Sequence, residues 1–188
     1  MSKDPEDDDA TQAFDDTDRQ PDSAAPVSVP SSEIIVPIKL YYFDTDAAGV
    51  VHNIAYLRLV EVARSNLAEQ MGWTLAEMHA SGRVPVLTRT EIDYLYPARM
   101  GDSVEIHGRL ESFDRVRFHF AFELRDRLMA ASLKSAIVGD SHREHTPRVY
   151  IRCRQTLATL KMPEGKLLPT PDSWRKAYPH LYSRESRG

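Results

Sequence analysis

Apolar residues change their spacing twice along this chain, and the changes mark out its elements. Val36, Ile38, Leu40 and Tyr42 alternate with other residues and so share one face of an extended run, while Pro37 puts the start of this first strand at a sheet edge. From about Asn53 to Met71 the interval becomes three or four, with Tyr56, Val60, Ala63 and Leu67 recurring, and a long helix is predicted. Gly72 ends it. Thr74 and Glu77 form a capping-box signal for a short second helix that Gly82 closes.

Alternation then returns. Residues 84–94 are rich in β-formers, Val104, Ile106 and Leu110 alternate, and Val116, Phe118, Phe120, Phe122 and Leu124 do so without a break. The polar stretch 112–115 joins the last two runs as a hairpin. A final strand is predicted over 150–161, with a turn at 162–166. The long helix is apolar around much of its circumference, so it needs wrapping, and a curved antiparallel sheet is a suitable wrapper. An α+β domain over residues 34–162 is the expectation. Three stretches do not fit the pattern. Residues 1–33 offer little to bury and predict a disordered acidic tail. Residues 128–147 mix apolar Leu133, Ile137 and Val138 with a loop-like run at 139–145, and residues 163–188 form a C-terminal extension.

Composition narrows the function. A chain of 188 residues, 41% hydrophobic and 28% charged, suits one domain with tails. Its net charge of −4 is unevenly spread: residues 1–33 hold ten of the 28 acids and two of the 24 bases, which leaves 22 bases against 18 acids in the rest. That mildly basic remainder suits an anionic, phosphate-bearing ligand as well as it suits ordinary solvated surface. No dense Lys/Arg stripe argues for nucleic acid. No long apolar span argues for a membrane, no N-terminal signal segment is evident, and the single Cys153 has no partner for an internal disulfide, so a cytoplasmic protein is expected. Cys153 lies in the last predicted strand and reads as a small core or sheet residue rather than a nucleophile. His142 and His145 have metal-pair spacing but sit in a polar loop without neighbouring ligands, so no metal is expected.

The candidate chemistry lies in Asp44-Thr45-Asp46-Ala47-Ala48-Gly49-Val50-Val51-His52-Asn53-Ile54. Two carboxylates follow an apolar run, Gly49 permits a tight turn, and polar side chains stand where the helix begins. A helix start offers unpaired N–H groups and a partial positive charge, so a substrate oxygen that turns negative could be stabilised beside a carboxylate that activates its attacker. That is a hydrolytic layout. From residue type alone, Asp46 is equally a helix cap or turn former. Asp44 reads as structural, and Tyr42, Tyr56, Tyr94 and Tyr96 as core or interface aromatics.

The run Tyr41-Tyr42-Phe43-Asp44-Thr45-Asp46-Ala47-Ala48-Gly49-Val50-Val51, continuing to Tyr56 and Glu61-Val62-Ala63-Arg64, resembles the signature of 4-hydroxybenzoyl-CoA thioesterase-type hotdog proteins, which include bacterial acyl-CoA thioesterases. A looser likeness extends through Tyr96-Pro97-Ala98-Arg99-Met100-Gly101-Asp102 to about Met162. The resemblance implies the hotdog fold, a curved antiparallel sheet wrapped around a long central helix. It implies an acyl-CoA thioesterase that releases free acid and coenzyme A without metal or cofactor, working as a homodimer or homotetramer with a site shared between chains.

The same resemblance makes Asp46 the catalytic acid, either general base on water or nucleophile, and makes the backbone N–H of Asn53 the oxyanion donor. Several relatives carry His seven residues after the catalytic aspartate, where this chain has Asn53 with His52 one place earlier. His52 is therefore the candidate second acid/base, since an amide side chain orients but does not titrate. Arg99, Arg115 and Arg117 are candidates for the phosphates of the coenzyme A moiety. A noncatalytic acyl-CoA-binding hotdog module and an acyl-carrier-protein thioesterase are the alternatives.

Overall fold

Six strands in one antiparallel sheet surround a single long helix in the computed structural model, which describes residues 30–127 and 147–184. The expectations for the tail before residue 30, for 128–146 and for the histidine pair lie outside the described residues. The elements are β1 (Glu33–Ile38), α1 (Asn53–Gln70), α2 (Leu75–Ser81), β2 (Arg83–Tyr94), β3 (Val104–Phe113), β4 (Arg117–Asp126), β5 (Val149–Lys161), β6 (Lys166–Leu168) and α3 (Asp172–Ala177). Strand order is β1-β3-β4-β5-β2, with β6 added to the end of β5. This is the curled hotdog arrangement, with β1 and β2 at the two edges.

The alternating phenylalanines of β4 explain why the helix sits where it does. Phe118, Phe120 and Phe122 are each at most 2% exposed and, with Ile106, Leu110 and Leu124, make the concave floor on which α1 lies. Gly108 on β3 permits this packing, because a Cβ there would come within 2.8 Å of the Phe122 ring. From α1, Ala55, Tyr56, Leu59, Val60, Ala63 and Leu67 turn down into this floor. The sheet curls round this buried face of the helix. Its opposite flank keeps Ile54, Leu57 and Val62 in the open.

Helix ends follow the sequence signals. Thr74 Oγ1 accepts the Glu77 N–H at 3.1 Å, and Gly82 closes α2 in the left-handed region. The first strand differs from expectation. It stops at Ile38, and Tyr42–Asp44 form one turn of 3-10 helix that leaves Tyr42 81% exposed. The cause is Asp44, whose carboxylate accepts the Tyr41 N–H at 2.9 Å and whose own N–H reaches the Tyr41 carbonyl at 3.0 Å, folding the chain back on itself.

Residues after 162 join the core. Trp174 and Tyr178 are each 4% exposed. Trp174 stacks on Trp73 with ring centroids 5.2 Å apart and meets Phe113 and Phe118 edge-on at 5.7 and 5.3 Å. Such pairs contribute about 0.5–1.5 kcal/mol each beyond the area they bury. The Tyr178 hydroxyl donates to the Pro30 carbonyl at 2.8 Å, so α3 also fastens the chain just ahead of β1.

Candidate active site

Between β1 and α1 the chain makes a very small hairpin. Thr45 and Val51 form an antiparallel bridge, the Asp46 N–H donates to the Val50 carbonyl at 2.9 Å, and the Gly49 N–H returns to the Asp46 carbonyl at 2.9 Å. Gly49 takes φ +70°, a conformation that side chains make costly. The His52 N–H donates to the Asp44 carbonyl at 3.0 Å, and α1 begins at the next residue. Asp46, the glycine turn and the helix start are thereby one rigid unit.

The two carboxylates have different surroundings. Asp44 is 1% exposed, accepting from the Tyr41 N–H and pairing with the Arg58 guanidinium, which also lies over the Phe43 ring. Asp46 is exposed. Its Oδ1 accepts the N–H groups of Ala48 at 2.8 Å and Val50 at 3.2 Å, which fixes the carboxylate, while Oδ2 has no partner among the described residues.

His52 is the N-cap of α1. Its Nδ1 accepts the Ala55 N–H at 3.1 Å and its Nε2 faces the Phe43 carbonyl at 3.3 Å, so both ring nitrogens are engaged and the proton belongs on Nε2. Asn53, the first helical residue, spends its side-chain oxygen on the Ile54 N–H at 3.0 Å. Its backbone N–H has no partner among the described residues, as expected of a first-turn amide, and it carries the positive end of an 18-residue helix.

A strap over residues 95–102 supports the hairpin from below. The Val51 N–H donates to the Ala98 carbonyl at 2.9 Å, Val50 bridges to Arg99, and the Arg99 guanidinium reaches the Ala48 carbonyl at 3.4 Å. Asp102 holds the Arg99 N–H at 2.8 Å. The buried Tyr56 hydroxyl accepts the Ala98 N–H at 3.0 Å, and the Tyr150 carbonyl accepts the N–H groups of Leu95 and Tyr96. Burial raises the pKa of both phenols, and the Tyr150 hydroxyl also donates to Asp126 at 2.6 Å. The sequence shows neither the pairing of Arg58 with Asp44 nor the support that Tyr150 and the strap give the hairpin, because these contacts cross long stretches of chain and leave no local signal.

Arg99 thus lies beside Asp46. Arg115 and Arg117 do not. They stand at the β3–β4 hairpin, beyond the far end of a ten-residue strand that starts next to the strap, about 30 Å away at strand rise. Cys153 is 3% exposed on β5, and burial pushes its thiol from 9.0 up to about 11, with Arg64 pulling slightly the other way. It is a core residue. Among the described residues no group of three or more metal-ligating side chains converges, and no helix is long and apolar enough to cross a membrane.

A curled antiparallel sheet carrying one long helix, with an Asp-bearing turn locked to the helix start, defines a hotdog domain of the thioesterase class. The family profile of the thioesterase-like superfamily matches residues 43–178, and the chain belongs to that family. It is 32% identical over 76 residues to the acyl-CoA thioester hydrolase YbgC of Escherichia coli O6:H1, a match spanning 40% of this chain and just 57% of that relative. It is 28% identical over 113 residues to the 1,4-dihydroxy-2-naphthoyl-CoA hydrolase of Thermosynechococcus vestitus, covering 57% of this chain and 77% of the other. Among solved structures, the 1,4-dihydroxy-2-naphthoyl-CoA thioesterase Slr0204 from Synechocystis superimposes with a TM-score of 0.61 at 21% identity, over 79% of this chain and 97% of that one, and so shares the fold.

Proposed function

We propose that this chain is an acyl-CoA thioesterase in which Asp46 activates the attack and the Asn53 N–H receives the charge that develops on the thioester oxygen. The observation that carries the reading is the hairpin itself. It holds a carboxylate with one uncommitted oxygen and the uncommitted first amide of α1 on one short, hydrogen-bonded unit. As general base, Asp46 takes a proton from water while the water oxygen bonds to the carbonyl carbon; the C–S bond then breaks and the thiolate leaves to be protonated, giving acid and coenzyme A. As nucleophile, Asp46 forms a mixed anhydride that water opens to the same products. In either course the oxyanion meets the helix start. We assign His52 to capping rather than proton transfer, since releasing either ring nitrogen undoes a bond that shapes the turn.

Arg99 is the coenzyme A contact best supported, because its exposed guanidinium borders the hairpin. A homodimer fits the same reading. The twelve residues of β2 pair only with β5 among the described residues, and such an open edge invites a second copy. Arg115 and Arg117, too distant within their own chain, can serve the site only across that contact.

The test is thiol release from acyl-CoA by wild type and Asp46→Asn, with circular dichroism as the check on folding. The variant should fold normally and lose about 10²–10⁴ in kcat; near-wild-type turnover removes Asp46 from the mechanism. Running the wild-type assay through a dilution series with light scattering tests the shared site, which a fully active monomer would overturn.

A further inference from the structure

The flank of α1 that the sheet leaves bare leads to a half-open cavity of about 320 Å³, lined by the second half of α1, by α2, by the start of β2 and by β4 and β5. That volume is within the usual range for ligand pockets. Trp73, Met78, Val84, Phe118, Phe120 and Leu157 make most of its wall apolar, while Glu61, Ser65 and Glu69 line it along α1. Arg64 stands at its rim with the charge compensated, paired with Glu61 and bonded to Gln155 Oε1 at 2.9 Å.

A track connects this cavity to the hairpin. Ile54, Leu57, Glu61 and Ala68 fall on one helical stripe, and the first two are 68% and 39% exposed. Glu61 and Ala68 both line the cavity. At helical rise they lie about 12 and 22 Å beyond Asn53. A stripe of α1 therefore runs from the amide assigned to the oxyanion, over apolar Ile54 and Leu57, to the Glu61–Arg64 ion pair at the near end of the cavity, more than two helical turns away.

We propose that this cavity receives the distal end of a straight aliphatic acyl chain, with the thioester carbonyl at the start of α1. The inference rests on the thioesterase reading and names its substrate class: chains of roughly ten carbons or more, the length needed to cover the first 12 Å along α1. A compact aryl acyl group ends well short of Glu61 and gains nothing from the cavity. Each methylene that enters should raise affinity about fourfold.

The experiment compares hexanoyl-CoA, palmitoyl-CoA and benzoyl-CoA, by thiol release and by quenching of intrinsic tryptophan fluorescence, because Trp73 lines the cavity. Palmitoyl-CoA should be the best substrate and the only one of the three to change the fluorescence. Ala68→Phe plugs the cavity from α1 and Met78→Trp plugs it from α2, so a folding failure in one leaves the other informative. Each should lower the ratio of palmitoyl to hexanoyl turnover at least tenfold. An unchanged ratio in a folded plug variant, or a preference for benzoyl-CoA, overturns the proposal. Should no thioester release thiol while palmitoyl-CoA alone still quenches, the cavity assignment stands and the hydrolase reading falls.

Discussion

Tyr56→Phe removes one oxygen from beneath the hairpin and should cost both stability and rate. Tyr56 is 3% exposed, and its hydroxyl is the acceptor for the N–H of Ala98, which is fully buried. Phenylalanine fills the same space but leaves that donor without a partner. An unsatisfied buried donor costs about 1–3 kcal/mol. For a domain of this size, at about 2–4 °C per kcal/mol, the melting temperature should fall by about 2–12 °C. The effect on rate follows from what Ala98 does next: its carbonyl holds the Val51 N–H at 2.9 Å, one residue before the cap of α1. When the strap slackens, the Asp46 turn moves against the Asn53 amide, and a misplacement of about 1 Å is worth up to about 10² in rate. Thermal melts followed by circular dichroism, with thiol release measured well below the transition, read both effects. If the melting temperature and kcat both stay at wild-type values, Ala98 has another acceptor and the strap does not hold the turn.

Trp174→Ala should lose about 3–5 kcal/mol, more than Tyr56→Phe, since it empties a fully packed site among Trp73, Phe113 and Phe118; a denaturant midpoint equal to wild type would show that α3 is only loosely docked. Cys153 should resist thiol reagents in the native protein near pH 8 and react promptly in denaturant, and rapid native labelling would contradict its burial. Because its thiol is raised from 9.0 to about 11 on folding, its contribution to stability is complete below pH 9 and is lost as pH rises through 11. Cys153→Ala should accordingly flatten the decline in stability across that window, and an unaltered decline would assign it to other groups.

Periodicity made the main elements legible because their burial is local in origin. The spacing of Tyr56, Val60, Ala63 and Leu67 marks the face that α1 turns to the sheet, and the alternation through Phe118, Phe120 and Phe122 marks the floor that receives it. Tyr42 misled the same reasoning, since it continues the alternation of β1 but belongs to a turn folded by the neighbouring Asp44 carboxylate. Nor did any local pattern announce α3. Trp174 is buried by Trp73, a residue a hundred positions earlier, and six helical residues are too few to show a period. The candidate site divides in the same way. Asp46, Gly49 and Asn53 lie within eight residues and could be read together, whereas Arg58 meets Asp44 across 14 positions and Arg99 meets Ala48 across 51.

The pair Asp44 and Asp46 shows why proximity in sequence does not imply shared work. A 3-10 turn ends at Asp44 and the glycine turn begins at Asp46, so one carboxylate faces inward and the other outward. Asp44 is enclosed, with a backbone N–H and an arginine as partners, and replacing it would leave the Tyr41 N–H without its acceptor and half-exposed Arg58 without its counter-charge. Asp46 has its orientation fixed through one oxygen and the other left open to solvent. A group that must meet a substrate needs that combination, because a fully bonded carboxylate has no lone pair to offer and an unbonded one has no fixed direction. On the proposed mechanism Asp44 fixes the turn that aims Asp46, and the environments, rather than the residue type, divide the roles between them.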